Sequence, residues 1–234
     1  MVIRGKTTVS RQLHNIKNSY TKEFAFIKQR SPYAKIIDIS DKRTDKKVTS
    51  NDSKYKKKNI IFGHTHPYLE KSTHSLIEYM VPSAGDIGTM FYNYLNNPKN
   101  YSEVISIRSG KYKEEMGRVH MMFTKETIEF LNKFLKNYPL PSKTKVINYL
   151  HNVTGKDIRL ISESFIGNTK TLNKYKKMLA VMDLIDWYND SAGNRLYYLA
   201  NNLKIKFRFV ANKKKGYEFS NMFTEFFKNS ISKK

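Results

Sequence analysis

The sequence predicts an α/β protein in which a mixed β-sheet is flanked by helices and followed by a smaller, mostly helical, basic region. Segments typical of strands occur in groups that are separated by helical periodicity. The turn-forming "PLPS" at 139–142 divides the chain, so the predicted domains are residues 1–139 and residues 140–234. Hydrophobic residues make up 39% of the chain, including 16 Tyr and 14 Phe, which is enough to build a core.

The first region opens with a predicted amphipathic helix at 8–19, where apolar side chains have helical spacing. Alternation in "EFAFIKQ" and in "AKIIDIS" predicts two strands. The polar residues 41–58 predict a solvated loop or a ragged hairpin. "NIIFGHTH" is predicted to be a buried strand that ends at Pro67, because proline cannot donate to an interior ladder.

A loop then leads to Ser83, which occupies the N-cap position of a predicted helix over "AGDIGTMFYNYLNN". The segments "YSEVISIRS" and "GRVHMMFT" predict two strands joined by a turn around Gly110. "KETIEFLNKFLKNY" has one apolar side and predicts a strong amphipathic helix.

In the second region, helices are predicted at 143–152 and 170–190. Trp187 and Tyr188 are expected to pack against the core from the second of these helices. A basic strand is predicted at 204–210, and "NMFTEFFKN" predicts a closing helix. The role of this region is not indicated by any motif.

The formal net charge is +23, which favours an anionic partner such as nucleic acid or an acidic assembly. The predicted contacts interleave cations with aromatic rings that can stack on bases. They are Lys206, Arg208, Lys213, Lys214 and Lys215. The alternative is compositional, since joint enrichment in Lys, Asn, Tyr, Ile and Phe also follows from AT-rich coding DNA.

Cysteine is absent, which excludes disulfides and thiolate chemistry and leaves His and carboxylates as metal ligands. No apolar run approaches the ~20 residues that span a bilayer. The N-terminal segment lacks an apolar signal core, which favours an intracellular location. Its basic, hydroxyl-rich composition is also weakly similar to that of an organelle transit peptide.

Two histidines lie at the end of the predicted buried strand. His64 and His66 are two positions apart, so their side chains point to the same face. Ser83 and Asp86 are three apart at the start of the following helix and lie on nearly one side. Two imidazoles and one carboxylate form a three-ligand set with an open fourth position, as in catalytic zinc sites.

A hydrolytic site of this kind needs a group that carries protons. Glu23 is the only glutamate before His64, and it opens the strand "EFAFIKQ". An adjacent strand could place this carboxylate over the metal. The alternative for Glu23 is an exposed acid at a strand end.

The order Glu, H-x-H-P and S-x-x-D, carried here by Glu23, His64, His66, Ser83 and Asp86, resembles the JAMM/MPN family of zinc metalloproteases over about residues 8–138. The resemblance implies an MPN-like curved mixed sheet, and Zn²⁺ held by both histidines and Asp86. It implies that Glu23 is the general acid/base and that the Ser83 hydroxyl supports the tetrahedral intermediate. It also implies hydrolysis of a peptide or isopeptide bond in a protein substrate, such as a ubiquitin-like conjugate.

Several alternatives stay open at the level of sequence. Ser83 could serve only as an N-cap, and a strand histidine is often structural. The segment between His66 and Ser83, "YLEKSTHSLIEYMV", is longer than the usual spacer of the family and is predicted to be an insertion beside the substrate groove. A second functional hypothesis is an MPN-fold module that binds nucleic acid or a large assembly.

Overall fold

The computed structural model describes residues 22–29, 35–43, 48–50, 60–68, 76–109, 114–188, 191–211 and 217–232. Within them the strands are β1 (Ala25–Gln29), β2 (Ile36–Asp38), β3 (Ser40–Arg43), β4 (Val48–Ser50), β5 (Ile60–Tyr68), β6 (Ser102–Ser109), β7 (Glu114–Met122) and β8 (Lys206–Ala211). The helices are α1 (Leu76–Met80), α2 (Ala84–Asn96), α3 (Lys125–Asn137), α4 (Lys143–Thr154), α5 (Ile158–Ser164), α6 (Thr169–Asp186), α7 (Ala192–Tyr197) and α8 (Tyr217–Ile231), and a π-helical turn (Tyr198–Asn202) follows α7.

Six strands form one mixed sheet in the order β2-β1-β5-β6-β7-β8. The pair β5 and β6 is parallel, and the other neighbouring pairs are antiparallel. The α2 helix connects the two parallel strands, as a parallel pair requires. The predicted α/β class with a mixed sheet and flanking helices is therefore confirmed.

The strand β5 continues through Pro67 to Tyr68, so the predicted end of the strand at Pro67 is wrong. Pairing with β1 ends where Ala25 lies opposite His64, whereas pairing with β6 extends to Tyr68. Beyond Thr65, whose N–H donates to the Phe24 carbonyl, the β1 side of β5 is an edge within the described residues. Proline is tolerated there because no ladder hydrogen bond is needed on that side.

The main core lies between one face of the sheet and the helices. Ile105, Val119 and Met121 from the central strands pack with Ile87 of α2 and Val181 of α6. A separate cluster joins α4, α5 and α6, and smaller clusters lie around β1 and β5. No helix within the described residues is long and apolar enough to cross a membrane.

The segment after the predicted boundary packs on the first region. The strand β8 pairs with β7, and α6 packs along α2. Gly88 of α2 permits this contact, because a Cβ atom there would lie 2.4 Å from Cγ of Met182. The second region thus contributes a strand to the same sheet and a helix that covers α2.

Other expectations have mixed outcomes. The polar segment after β2 contains the antiparallel pair β3 and β4, which is the hairpin alternative. The short helices α1, α5 and α7 were not predicted from the sequence.

The two aromatic residues at the end of α6 have different outcomes. Tyr188 packs as expected, because its ring stacks on that of Tyr198 with 3.8 Å between the ring centroids. The prediction for Trp187 is wrong, because this residue is 83% exposed. The helix predicted at 8–19 lies outside the described residues.

Candidate metal centre

The two histidines lie on β5 next to the end of β1. Thr65, between them, is fully buried and is bound to Phe24 in both directions. Its N–H donates to the Phe24 carbonyl at 3.0 Å, and its Oγ1 accepts from the Phe24 N–H at 3.1 Å. This pair of bonds fixes the start of β1, and with it Glu23, beside the histidines.

The three predicted ligands converge. Nε2 of His64 lies 2.9 Å from Nε2 of His66 and 3.1 Å from Oδ1 of Asp86. One ligand atom from each residue lies within 4.8 Å of the other two. Asp86 reaches this point from the first turn of α2, as the spacing predicts.

Each histidine has its other ring nitrogen held by a separate group. Nδ1 of His66 lies 2.8 Å from the carbonyl oxygen of Tyr79, which can only accept, so Nδ1 carries the proton. Nδ1 of His64 lies 3.0 Å from Oε1 of Glu103 on β6. Such partners fix the tautomer and the ring orientation of metal-bound histidines.

The donor set fits a cation. With Nδ1 protonated on both rings, two imidazole lone pairs and one carboxylate oxygen face each other, and a positive charge among them relieves their repulsion. A proton is one such charge: burial opposes it, but Asp86 and Glu103 outweigh burial and raise the pKa of His64 well above its ordinary value. Burial and the charge of His64 lower the pKa of His66 to about 4, so this ring stays neutral.

Asp86 is held by a capping box at the start of α2. Its Oδ2 accepts from the Ser83 N–H at 2.7 Å and from the Ser83 hydroxyl at 2.8 Å, while its own N–H donates to Ser83 Oγ. Burial opposes ionisation, but the histidines and Ser83 lower the pKa of Asp86 below its ordinary range. Oδ1 is thereby left to face the histidines.

Ser83 is thus the N-cap of α2 and also orients a ligand. Its single hydroxyl proton is directed to Asp86 Oδ2. Support of an oxyanion by Ser83 stays a prediction, and it requires this proton to turn from Asp86 towards the substrate.

A cleft of about 260 Å³ opens beside the cluster. The predicted residues Glu23, His66, Ser83 and Asp86 all line it. Glu23 is only 8% exposed, which argues against the alternative of a solvated acid at a strand end. The structure therefore places the predicted proton carrier and two of the three predicted ligands, His66 and Asp86, around one space.

Three further residues at the site were missed by sequence reasoning. Glu103 and Tyr79 position the histidines, and Arg195 of α7 lines the cleft. The parallel register of β5 and β6, which brings Glu103 near His64, has no signature in the sequence. Tyr79 acts through its backbone carbonyl, which any residue would supply.

The predicted nucleic-acid contacts lie far along the sheet order from β5. Lys206 and Arg208 are exposed on β8, on the face opposite to Phe207 and Phe209, which pack on the core. Arg208 pairs with His120 of β7, so the two share a face. The other predicted contacts, Lys213, Lys214 and Lys215, lie outside the described residues.

Compared with known proteins, the chain matches no family model, no curated protein and no solved structure. The similarity to the JAMM/MPN family therefore rests on the order of the motif residues, and it stays a prediction.

Proposed function

We propose that this protein is a zinc-dependent metallopeptidase of the JAMM type that hydrolyses a peptide or isopeptide bond. The observation that carries the proposal is the convergence of His64, His66 and Asp86 at one edge of a cleft that Glu23 also lines. The mixed sheet with a helix between its parallel strands is compatible with an MPN-like fold.

Two imidazoles and a carboxylate are the ligand chemistry of catalytic zinc, which supplies Lewis acidity to water and to a carbonyl oxygen when bound. The chain's own groups do the remaining work. Glu23 accepts a proton from the attacking water as the carbon–oxygen bond forms. It then passes that proton to the amine as the carbon–nitrogen bond breaks. Glu103 and Tyr79 keep the histidine rings in place throughout.

The proposed substrate is a protein, and a ubiquitin-like conjugate is the example that the family resemblance suggests. The leaving group is then the amine of a backbone or of a lysine side chain. Neither the ligands nor Glu23 distinguish these two amines, so the proposal covers both bonds.

Zinc content and turnover of Glu23→Gln test this function. The parent chain, expressed with zinc, should hold about one zinc ion and should release new amines from pooled random-sequence peptides or from lysine-linked conjugates. Glu23→Gln should keep zinc and fold but lose at least about 10²-fold in turnover, because an amide cannot carry the proton. A zinc-free parent, or a variant with unchanged turnover, would refute the proposal.

A second candidate function is the binding of nucleic acid or an acidic assembly by the exposed face of β7 and β8. One observation favours it: Lys206, Arg208 and His120 share a face. Burial, followed by the charges of Arg118 and Arg208, lowers the pKa of His120 to about 4, so two arginines act on this position of the face. The two functions are compatible because the basic face and the cleft use different residues.

A further inference from the structure

A second cavity lies on α3, apart from the candidate metal centre. It has a volume of about 380 Å³, and the described residues that line it all belong to α3 and its C-cap. They are Phe130, Lys133, Phe134, Asn137 and Tyr138, and together they are called the α3 groove. None of them lines the cleft beside the metal ligands, so the two spaces are separate.

The α3 groove has aromatic side chains that the core does not use. Phe130, Phe134 and Tyr138 are four residues apart, so they form a stripe along one side of the helix. The helix packs on the main core through other side chains, which include Leu131 and Leu135. None of the three rings belongs to a core cluster of the described residues, and Phe130 is 37% exposed. A partner that covers this stripe would remove apolar surface from water.

Lys133 gives the α3 groove a positive charge. This lysine is exposed, and no carboxylate is among the described residues that line the cavity. The acid one turn earlier, Glu129, is paired with Lys125 at 3.7 Å instead. Lys133 has no ion-pair partner among the residues that the structure describes. An apolar groove with an unpaired ammonium group suits an apolar partner that also carries a carboxylate.

The shape of the α3 groove fits a helix. The stripe rises about 12 Å from Phe130 to Tyr138, which is about two helical turns. Rows of side chains with this spacing pack against the rows of a second helix. A helix that docks in this way anchors through residues at i, i+3, i+4 and i+7. The volume lies within the ~300–1,000 Å³ of ligand pockets, so the groove holds a few apolar side chains.

Two other occupants fit less well. A second copy of the chain would bring together two molecules that each have a net charge of +23 and repel each other. Nucleic acid needs a row of cations along its phosphates and open ring faces for its bases. The groove has one lysine, and the ring centroids of Phe134 and Tyr138 lie 4.7 Å apart, so these rings already contact each other.

We propose that the α3 groove binds an acidic amphipathic helix of a partner protein. The apolar side of that helix covers the aromatic stripe, and one of its carboxylates pairs with Lys133. The inference does not depend on the proposed peptidase function, because the groove and the cleft share no described residue.

Binding of labelled peptide pools to the full chain at near-physiological salt tests the inference. Three pools of random-sequence peptides of about 14 residues, or four helical turns, have apolar residues at i, i+3, i+4 and i+7. They carry Glu, Gln or Lys at the remaining positions, and a fourth pool has the Glu composition in scrambled order. The Glu pool should bind at least about 10-fold more tightly than the Lys and scrambled pools, because only it combines an apolar side with carboxylates.

Removal of the aromatic anchors should abolish most of this binding. Phe130→Ala with Phe134→Ala should weaken binding of the Glu pool about 10–100-fold, since aromatic anchors dominate the energy of such interfaces. The matched control is Leu160→Ala with Ile166→Ala, which removes two apolar side chains that are 63% and 76% exposed outside the groove. The control should bind as the parent does, and thermal unfolding shows whether each double variant is folded.

A charge reversal at the exposed Lys133 tests the groove without loss of its rings. Lys133→Glu should weaken binding of the Glu pool about 3–10-fold, because an attraction becomes a repulsion. Lys170→Glu makes the same change in net charge at another exposed lysine and should have a smaller effect.

Several outcomes would overturn the inference. They are equal binding of all pools, no binding of any pool, binding that survives loss of both phenylalanines, and equal effects of the two charge reversals. A single-stranded oligonucleotide bound through the two phenylalanines would assign the groove to nucleic acid instead. A dimer in sedimentation that the double variant Phe130→Ala with Phe134→Ala loses would assign it to a second copy, and either result contradicts the proposal.

Discussion

At the candidate metal centre each predicted ligand has a second polar atom held by another group, whereas on the basic face of β7 and β8 the cations Lys206 and Arg208 are exposed. His64, His66 and Asp86 are oriented by Glu103, by the Tyr79 carbonyl and by Ser83, respectively. The candidate metal centre therefore fixes the positions of its side chains, whereas the basic face contributes positive electrostatic potential.

Removal of one ligand should produce the largest effect. Asp86→Ala should reduce zinc from about one ion per chain to near zero in elemental analysis, because two histidines alone leave the set incomplete. The control is Asp183→Ala, which removes an aspartate from an exposed pair with Lys145 and should leave zinc unchanged. Full zinc content in Asp86→Ala would show that the cluster is not the metal site.

Loss of a support should have a smaller effect on the same observable. Glu103→Gln should weaken zinc affinity by about 10–100-fold in competition with a chelator, since Nδ1 of His64 loses its charged partner. The matched control is Glu115→Gln, another buried carboxylate, which contacts Ser106 and Arg118 instead. Equal zinc affinity in both variants would contradict a supporting role for Glu103.

His120, on the basic face, should make the free energy of unfolding of the chain depend on pH. The unfolded chain takes up this proton near pH 6.5, whereas the folded chain binds it only near pH 4. The unfolded state therefore holds more protons in this window, and the folded state loses stability as pH falls through it. The loss is roughly 1–2 kcal/mol between pH 7 and pH 5. His120→Gln should flatten this part of the curve of unfolding free energy against pH, and an unchanged slope would exclude His120 as the cause.

The basic face itself should show the smallest effect per residue. At near-physiological salt, Lys206→Gln with Arg208→Gln should weaken binding to single-stranded nucleic acid. The salt slope should fall by about one for each phosphate that the variant no longer neutralises. The control neutralises Lys133 and Lys136, which are exposed on α3. Equal reductions in binding by the two double variants would mean that the charge acts only through composition.

The sequence sufficed to predict that the three candidate ligands converge, because their geometry is local. Alternation on one strand orients His64 and His66, and one helical turn links Ser83 to Asp86, so spacing carries the information. The other residues of the site depend on contacts between segments that are distant in the sequence. The parallel register of β5 and β6 sets Glu103 beside His64, and the packing of the second region on the first sets Arg195 in the cleft. No period in the sequence encodes such contacts.

The fold shows the same division. Long elements with a clear period, such as α3 and α6, were predicted, whereas the short helices α1, α5 and α7 were missed because they are too short to show one. The continuation of β5 through Pro67 was missed because it depends on the absence of a strand partner on one side within the described residues. Trp187 was misassigned because an aromatic residue at a helix end can face either way.

Gly88 has a consequence for the order in which the site is made. A ribosome delivers both histidines and Asp86 well before Met182, the residue that packs over Gly88. A nascent chain therefore carries all three ligands while the helix that aims Asp86 still lacks its cover. The cover of α2 is therefore added only when α6 has been synthesised, although α6 contributes none of the three predicted ligands.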